Sequence, residues 1–308
     1  MGGKILVTPR AVTKNGHPSL EKLRAAGYEV VFCTPGCQPD ENELKQLLPD
    51  CVGYLAGVEN VTASVLESAP SVKVISRNGT GVNNIDLEAA KSLGTKVCRA
   101  DGANARGVAE LTMALILSLV RSIPFSDAAI KSGKWERRNG IELENRTLGL
   151  IGFGKIGKLV SGFAAAFGIK IAIYDPYLPA SFCPPAGVTV SSFNEVLETS
   201  DILSLHCPPA EKPVIGKTEI GMMKKGAYLI NTARAELIDE TAVLDAIDSG
   251  RLSGYATDVF PSEPPKDLTL ARHRCVIGTP HIGGLTAESV GRAMNVSVDN
   301  LIEALAKS

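Results

Sequence analysis

Three side chains of complementary chemistry stand just past apolar runs in the second half of the chain. Arg234 follows Tyr-Leu-Ile-Asn-Thr-Ala, Glu263 comes four residues after Val259, and His281 follows Val-Ile-Gly-Thr-Pro. In an open parallel sheet ligands sit beyond the carboxyl ends of strands, so the three share an address suited to chemistry. A guanidinium offers a planar fork that holds a carboxylate and polarises a neighbouring carbonyl. Histidine titrates near neutrality, so it can give a proton to a carbonyl oxygen or take one from a hydroxyl. A carboxylate beside it would favour the imidazolium and fix the ring's orientation. The set suits redox interconversion of a hydroxy acid and an oxo acid, a reaction that needs no metal. Taken singly, each has a plainer reading: Arg234 as a surface ion-pairing residue, Glu263 as part of a solvated Pro-Ser-Glu-Pro-Pro turn, His281 as a capping or core histidine. His17 and His273 sit in polar loop contexts and His206 ends a strand, so none of these is assigned an acid–base role.

Such chemistry needs a hydride carrier, and a glycine-rich turn is placed to hold one. Gly152, Gly154 and Gly157 fall in Thr147-Leu-Gly-Leu-Ile-Gly-Phe-Gly-Lys-Ile-Gly157, between a buried-strand run at 148–151 and a helical pattern over 155–167. Gly152 permits the tight turn, Gly154 lets the backbone approach a pyrophosphate, and Gly157 lets the helix pack on the strand. Asp175 closes the next apolar run, where a carboxylate accepts hydrogen bonds from both adenosine ribose hydroxyls and repels a 2′-phosphate. Pro176 and Tyr177 follow, with no arginine to receive that phosphate, so NAD is expected rather than NADP. An ordinary loop remains the alternative for the glycines alone.

Around these groups the chain alternates strand-like and helical runs. Strands are predicted over 4–8, 29–33, 72–76, 169–174, 202–205, 227–231, 254–259 and 276–278, with helices over 20–26, 106–121 and 287–306. The expected class is α/β, with doubly wound parallel sheets. At 308 residues and 44% hydrophobic content, two domains are expected. The irregular Arg-Ala-Asp-Gly-Ala-Asn segment marks the crossover. The final helix is expected to return to the first domain, giving 1–100 with 286–308 and 101–285. The helix over 106–121 is apolar almost all round, which points to burial either within the chain core or between the subunits of a homodimer. A net charge of −1 offers no basic field for nucleic acid or an anionic membrane. No apolar stretch is long enough for a membrane span, and the N-terminus enters a strand without a leader pattern. Seven dispersed cysteines without paired ligand spacing read as reduced thiols in the cytoplasm and argue against zinc.

Ordered motifs running nearly end to end carry a family resemblance. They are Arg77-Asn-Gly-Thr-Gly-Val-Asn-Asn-Ile-Asp86, Gly107-Val-Ala-Glu-Leu-Thr112, Gly133-Lys-Trp-Glu-Arg137, the glycine turn with Asp175, Leu205-His-Cys-Pro208, Asn231-Thr-Ala-Arg234, Asp258-Val-Phe-Pro-Ser-Glu-Pro264 and Thr279-Pro-His-Ile-Gly-Gly284. The chain resembles the NAD-dependent D-2-hydroxyacid dehydrogenases, most closely their D-3-phosphoglycerate dehydrogenase branch. The resemblance implies two Rossmann-like domains with an interdomain active-site cleft whose closure excludes water. It implies that Arg234, Glu263 and His281 are the catalytic trio, the same three that the residues alone select. It further implies that Asn78 and Gly79 present backbone N–H groups to the substrate carboxylate and that Thr80 approaches the nicotinamide end. Lys155 and Ile156 would cover the pyrophosphate, Cys207 and Pro208 flank the adenosine, and Thr232, Ala233, Asp258 and Gly284 surround the nicotinamide. Arg77 and Arg137 resemble basic positions near a substrate phosphate.

Departures from that branch bear on substrate choice. Asn78 stands where Ala is common, Asn83 where Asp is usual, Gly107 where Ser is frequent, and Ala235 where Gly follows the arginine. An amide at 78 adds donors and an acceptor and points to a different polar substituent, while Ala235 questions the backbone geometry beside Arg234. The chain ends at Ser308 without the regulatory domains that larger relatives append, so feedback control through one is not expected. The leading expectation is interconversion of a D-2-hydroxy acid and its 2-oxo acid, D-3-phosphoglycerate first. The alternatives are glyoxylate or hydroxypyruvate reduction, or oxidation of another phosphorylated or phosphono 2-hydroxy acid. Formate oxidation is disfavoured because Glu263 stands where formate enzymes place Gln. A different class is an NAD-sensing, corepressor-like binding protein.

Overall fold

A computed structural model describes residues 2–307. They form two compact units, Met1–Asn104 with Ala287–Ser308, and Ala105–Thr286.

In the first unit five short strands, β1 (Lys4–Val7), β2 (Glu29–Phe32), β3 (Cys51–Ala56), β4 (Val74–Arg77) and β5 (Lys96–Arg99), pair in the order β2-β1-β3-β4-β5. Every pairing is parallel. Side chains alternate between the faces as the pleat requires. Leu6, Tyr54 and Ile75 join Leu44, Val65 and Leu66 on one side, while Ile5, Val7, Leu55 and Val74 join Leu20, Leu23 and Met294 on the other. The last helix, Ala287–Leu305, brings Met294, Val298, Leu301 and Ala304 into this second layer, so the unit is built from both ends of the chain. Lys22 to Asp299 at 2.7 Å and Ser19 to Asn295 at 2.6 Å pin it.

The second unit holds β6 (Thr147–Ile151), β7 (Lys170–Tyr174), β8 (Val188–Val190), β9 (Ile202–Leu205), β10 (Ala227–Asn231), β11 (Leu252–Thr257) and β12 (Val276–Gly278). Their order is β12-β11-β10-β9-β6-β7-β8, again all parallel. Numbered within the unit, this is the doubly wound 3-2-1-4-5-6 order with one further strand, and its direction reverses between β6 and β9. Helix Ala105–Val120 is apolar because both its environment and its partners lie within the unit. Met113, Leu115, Ile116, Leu119 and Val120 pack against Leu148, Leu150, Ile202, Ile230 and Ala256. No second copy is needed to account for it. Among the described residues no single helix is long and apolar enough to cross a membrane.

Three strands escaped the sequence patterns: Cys51–Ala56, Lys96–Arg99 and Val188–Val190. The first is interrupted by Gly53, the second offers two apolar residues between charges, and the third is a three-residue edge strand.

Candidate active site

Glycines shape the point between β6 and β9 where the larger sheet reverses. Gly152 has a φ of +95°, and a Cβ there would lie 2.6 Å from the carbonyl carbon of His206. Glycine alone satisfies both the conformation and the space. A Cβ on Gly157 would lie 2.4 Å from the Gly152 oxygen, so this residue sets how closely the helix approaches the turn. Gly154 differs: its φ is −74°, and nothing stands within 4 Å of where a Cβ would be. Packing within the chain makes no demand for glycine at this position, whereas a group laid against the turn would. Asp40, Thr62, Asp86, Ser192 and Asp239 cap the helices they precede, but no side chain caps Lys155–Ala165. A helix start without a side-chain cap suits an anion, which the N-terminal end of the helix dipole attracts. Lys155 is exposed and Ile156 half-buried beside them. The turn fits a dinucleotide pyrophosphate.

Asp175 follows β7 directly. Its Oδ2 accepts the Phe153 N–H at 2.8 Å and its Oδ1 accepts the Tyr177 N–H at 2.9 Å, so the carboxylate is held by backbone while each oxygen keeps capacity for a ribose hydroxyl. Cys207 lies half-buried after β9, with Pro208 exposed beyond it. Burial, augmented by the Asp175 charge, pushes the Cys207 thiol up to about 11, which keeps it protonated and unreactive. The neighbouring His206 ring is buried. Its Nε2 lies 2.9 Å from Ser204 Oγ, its Nδ1 has no partner, and burial lowers its pKa to about 4. A neutral ring at this position suits structure rather than proton transfer.

The three side chains singled out from the sequence hang from three adjacent strand ends. β10, β11 and β12 pair so that Asn231 lies opposite Thr257 and Thr257 opposite Gly278. Arg234, Glu263 and His281 follow these three residues on loops at the carboxyl edge, on strands spaced about 4.8 Å apart. Two residues that sequence reading did not single out as supports position them. Asn231 is fully buried; its Oδ1 accepts the Ala233 N–H at 3.1 Å and its Nδ2 donates to the Arg234 carbonyl at 2.8 Å, cinching the arginine turn. Buried Asp258 accepts from Thr279 Oγ1 at 2.6 Å, Ile282 N–H at 2.8 Å and Gly283 N–H at 2.8 Å. It thereby fixes both sides of His281, which adopts a left-handed φ of +52°. The imidazole Nδ1 lies 2.9 and 2.8 Å from the two Glu263 oxygens. That leaves Nε2 on a half-exposed ring to meet a substrate. Thr232 Oγ1 sits 2.9 Å from Thr112 Oγ1; Ala233, next in sequence, is half-buried, as is Gly284 in the loop that carries His281. Ala235 opens the short 3₁₀ turn Ala235–Leu237 and is absent from the positive-φ residues, so it causes none of the backbone difficulty expected beside Arg234.

Comparison with known proteins agrees with this geometry. Residues 113–283 match the family described as D-isomer specific 2-hydroxyacid dehydrogenase, NAD binding domain. The chain belongs to the D-isomer specific 2-hydroxyacid dehydrogenase family. A D-3-phosphoglycerate dehydrogenase of Methanocaldococcus jannaschii is 44% identical over 250 residues, covering 80% of this chain and 48% of that protein. A hydroxypyruvate reductase of Thermotoga maritima is 39% identical over 274 residues, covering 86% and 89%. The crystal structure of a glyoxylate reductase from Paecilomyes thermophila superposes with a TM-score of 0.85 at 26% identity, covering 99% of this chain and 96% of that one. The chain spans about half the length of the phosphoglycerate dehydrogenases it matches.

In the first unit of this family member, the backbone donors at 78 and 79 carry partners within the chain. The Asn78 N–H donates to the Ala56 carbonyl at 2.8 Å and the Gly79 N–H to the Arg77 carbonyl at 2.8 Å. Both donors expected to meet a substrate carboxylate are engaged, the first because the β3–β4 ladder runs one residue beyond Arg77 and the second in a local turn back onto Arg77. The Arg77 guanidinium donates from Nη1 to the Asn78 carbonyl at 2.8 Å, turned onto its own chain. Thr80 Oγ1 donates to Ala100 O at 3.3 Å and Asn104 Oδ1 at 3.1 Å. What the segment does offer is the Asn78 side-chain Oδ1, buried and without a hydrogen-bond partner. Arg137 lies exposed in the second unit.

Proposed function

We propose that the protein interconverts a D-2-hydroxy acid and its 2-oxo acid with NAD, D-3-phosphoglycerate being the first candidate substrate. The observation that carries the reading is the two-oxygen grip of Glu263 on His281 Nδ1, on a loop pinned by Asp258 in the unit that bears the NAD-binding turn. Bound NAD supplies or accepts the hydride. Arg234 holds the substrate carboxylate and polarises the adjacent carbonyl. His281 Nε2 gives a proton to the carbonyl oxygen in reduction and takes it from the hydroxyl in oxidation, while Glu263 keeps the ring oriented. The named phosphoglycerate dehydrogenase relatives support the substrate.

A reductase acting on hydroxypyruvate or glyoxylate is the second reading. It is favoured by Asn78, whose Oδ1 needs a donor that a hydroxyl has and a phosphate lacks, and by the inward turn of Arg77. The experiment is an NADH assay of the purified protein against phosphohydroxypyruvate, hydroxypyruvate, glyoxylate and pyruvate. Reduction of phosphohydroxypyruvate with the highest kcat/KM is expected; brisk glyoxylate or hydroxypyruvate turnover without it reverses the ranking, and no turnover of any 2-oxo acid overturns the proposal. A homodimer is proposed as the working assembly, on the ground that Ile123, Ile130 and Trp135 are exposed by 50%, 57% and 80%. Sedimentation at micromolar concentration tests it, a monomer being the overturning result.

A further inference from the structure

The smaller sheet has its own reversal point, between β1 and β3, and a buried acid closes it. Glu59 is 1% exposed, as is Thr8, and Tyr54 is fully buried. Three donors converge on one carboxyl oxygen, Oε1: the Thr8 hydroxyl, the Tyr54 hydroxyl at 2.5 Å, and the Gly57 N–H at 2.8 Å. The Gly57 N–H also reaches Thr8 Oγ1 at 3.1 Å. Burial, with the Glu59 charge second, holds the Tyr54 phenol well above its ordinary range, so it remains a donor.

The turn so fixed is tied to the segment that follows β4. The Asn78 N–H donates to the Ala56 carbonyl at 2.8 Å. Asn84 Nδ2 donates to the Glu59 carbonyl at 2.6 Å and more weakly to the Gly57 carbonyl at 3.4 Å. The Val61 N–H returns to the Asn84 carbonyl at 2.7 Å. Residues 78 and 84, the two ends of a stretch that includes Gly79 and Thr80, are therefore both fastened to the turn at 56–61. A side chain that sets this turn sets the stretch and the orphan Asn78 Oδ1 within it. None of these groups belongs to the trio of Arg234, Glu263 and His281.

We infer that Glu59 is a positioning residue for substrate recognition, acting through the turn at 56–61 and Asn84 to hold the Asn78–Thr80 stretch in its binding conformation. The inference rests on the function proposed above. Replacement with alanine leaves the buried Tyr54 hydroxyl without its acceptor and the Thr8 hydroxyl and Gly57 N–H with only their longer bonds, to Leu55 O at 3.3 Å and Thr8 Oγ1 at 3.1 Å, so the hold on the turn loosens. Replacement with glutamine keeps an oxygen at Oε1.

The test measures steady-state kinetics with NADH and either phosphohydroxypyruvate or hydroxypyruvate, together with NADH affinity by fluorescence, for Glu59→Ala, Glu59→Gln and Asn84→Ala. For Glu59→Ala and Asn84→Ala, KM for the oxo acid is expected to rise about tenfold while kcat stays within about threefold, the signature of lost substrate binding. NADH affinity, a property of the other unit, is expected to stay within about twofold, and Glu59→Gln to recover KM to within about threefold. An unchanged KM in the alanine variants, NADH affinity falling in parallel with KM, or a glutamine variant no better than alanine overturns the inference. If Glu59→Ala fails to fold, half-buried Asn84 decides it, because Asn84→Ala cuts the same tie without opening the core. A wild type that reduces no 2-oxo acid removes the proposed function itself, a result separate from a wild type that turns over and variants that match it.

Discussion

The glycine turn and the reacting loops occupy the same edge of the same sheet and are built in opposite ways. At Gly152, Gly154 and Gly157 the function lies in what is absent: no Cβ where backbone crowds Gly152 and Gly157, no capping side chain, and open space beside Gly154. At Arg234, Glu263 and His281 it lies in side chains on loops, each of which has to be held from behind. Asn231 closes the arginine turn and Asp258 grips both sides of the histidine. A site made of backbone is set by local conformation, whereas a site made of side chains depends on buried polar supports drawn from elsewhere in the chain.

The contrast is broken most directly at the side-chain end. His281→Ala removes the proposed proton carrier and nothing that touches the turn, so kcat is expected to fall by roughly 10²–10⁴ with NADH affinity unchanged. Stopped-flow or steady-state assay beside a fluorescence titration measures both. Equal loss of cofactor binding would mean that the two regions are not separable in the way their construction suggests.

Next come the glycines, where the two positions should part. Gly152→Ala forces a side chain into a left-handed conformation at about 1–3 kcal/mol and drives a Cβ against the His206 backbone. Both the melting temperature and NADH binding should drop. Gly154→Ala meets nothing within 4 Å and keeps an ordinary φ, so the fold should be unaffected while a Cβ obstructs the pyrophosphate. Thermal melts with and without NADH separate the two outcomes. A Gly154→Ala protein that binds NADH as tightly as wild type would move the phosphate away from this turn.

Asn231→Ala probes the supports. It leaves the Arg234 carbonyl and the Ala233 N–H unsatisfied, a cost of about 1–3 kcal/mol. Loss should appear in KM for the oxo acid, through the loosened arginine turn, more than in NADH affinity. If kcat/KM is unaltered, Arg234 owes its placement to other contacts.

The same contrast explains what was legible in the sequence. The turn could be read residue by residue because most of its requirements are local: Gly157 answers to Gly152, Asp175 to Phe153 and Gly154 to the space beside the turn, although what forbids a Cβ at Gly152 is the distant backbone of His206. The trio could be placed because strand ends are readable from apolar runs: β10 and β12 lie over 227–231 and 276–278 as the pattern predicts, while β11 runs over 252–257 rather than 254–259 and so ends before Val259. Their supports were not. Asp258 reaches Thr279, Ile282 and Gly283 only once β11 and β12 pair, and no spacing along the chain announces that contact. Glu59 is likewise an unremarkable acid in Gly-Val-Glu-Asn until Thr8 and Tyr54 come to it from two strands. The engaged N–H of Asn78 is illegible for a related reason: strand β3, interrupted by Gly53, carries no clear pattern, so its carbonyl at Ala56 does not announce itself.

The smallest effect concerns the residue that links the two regions, since His206 supplies the backbone against which Gly152 packs. Its buried ring titrates near 4 when folded and near 6.5 when unfolded. Between those values the unfolded chain takes up a proton that the folded ring refuses. Stability associated with a neutral His206 is therefore complete above about pH 6.5 and is lost as pH falls toward 4, by up to about 1.4 kcal/mol per pH unit. Below about 4 both states carry the proton and the loss stops growing. Melting temperatures of wild type and His206→Gln between pH 7.5 and 4.5 isolate this contribution, because the glutamine variant cannot titrate there. Its melting temperature should fall less steeply with acid than that of wild type, and NADH protection should weaken over the same window in wild type alone. Parallel slopes would show that the ring gains a proton at little cost, which a buried imidazole with an unpartnered Nδ1 should not permit.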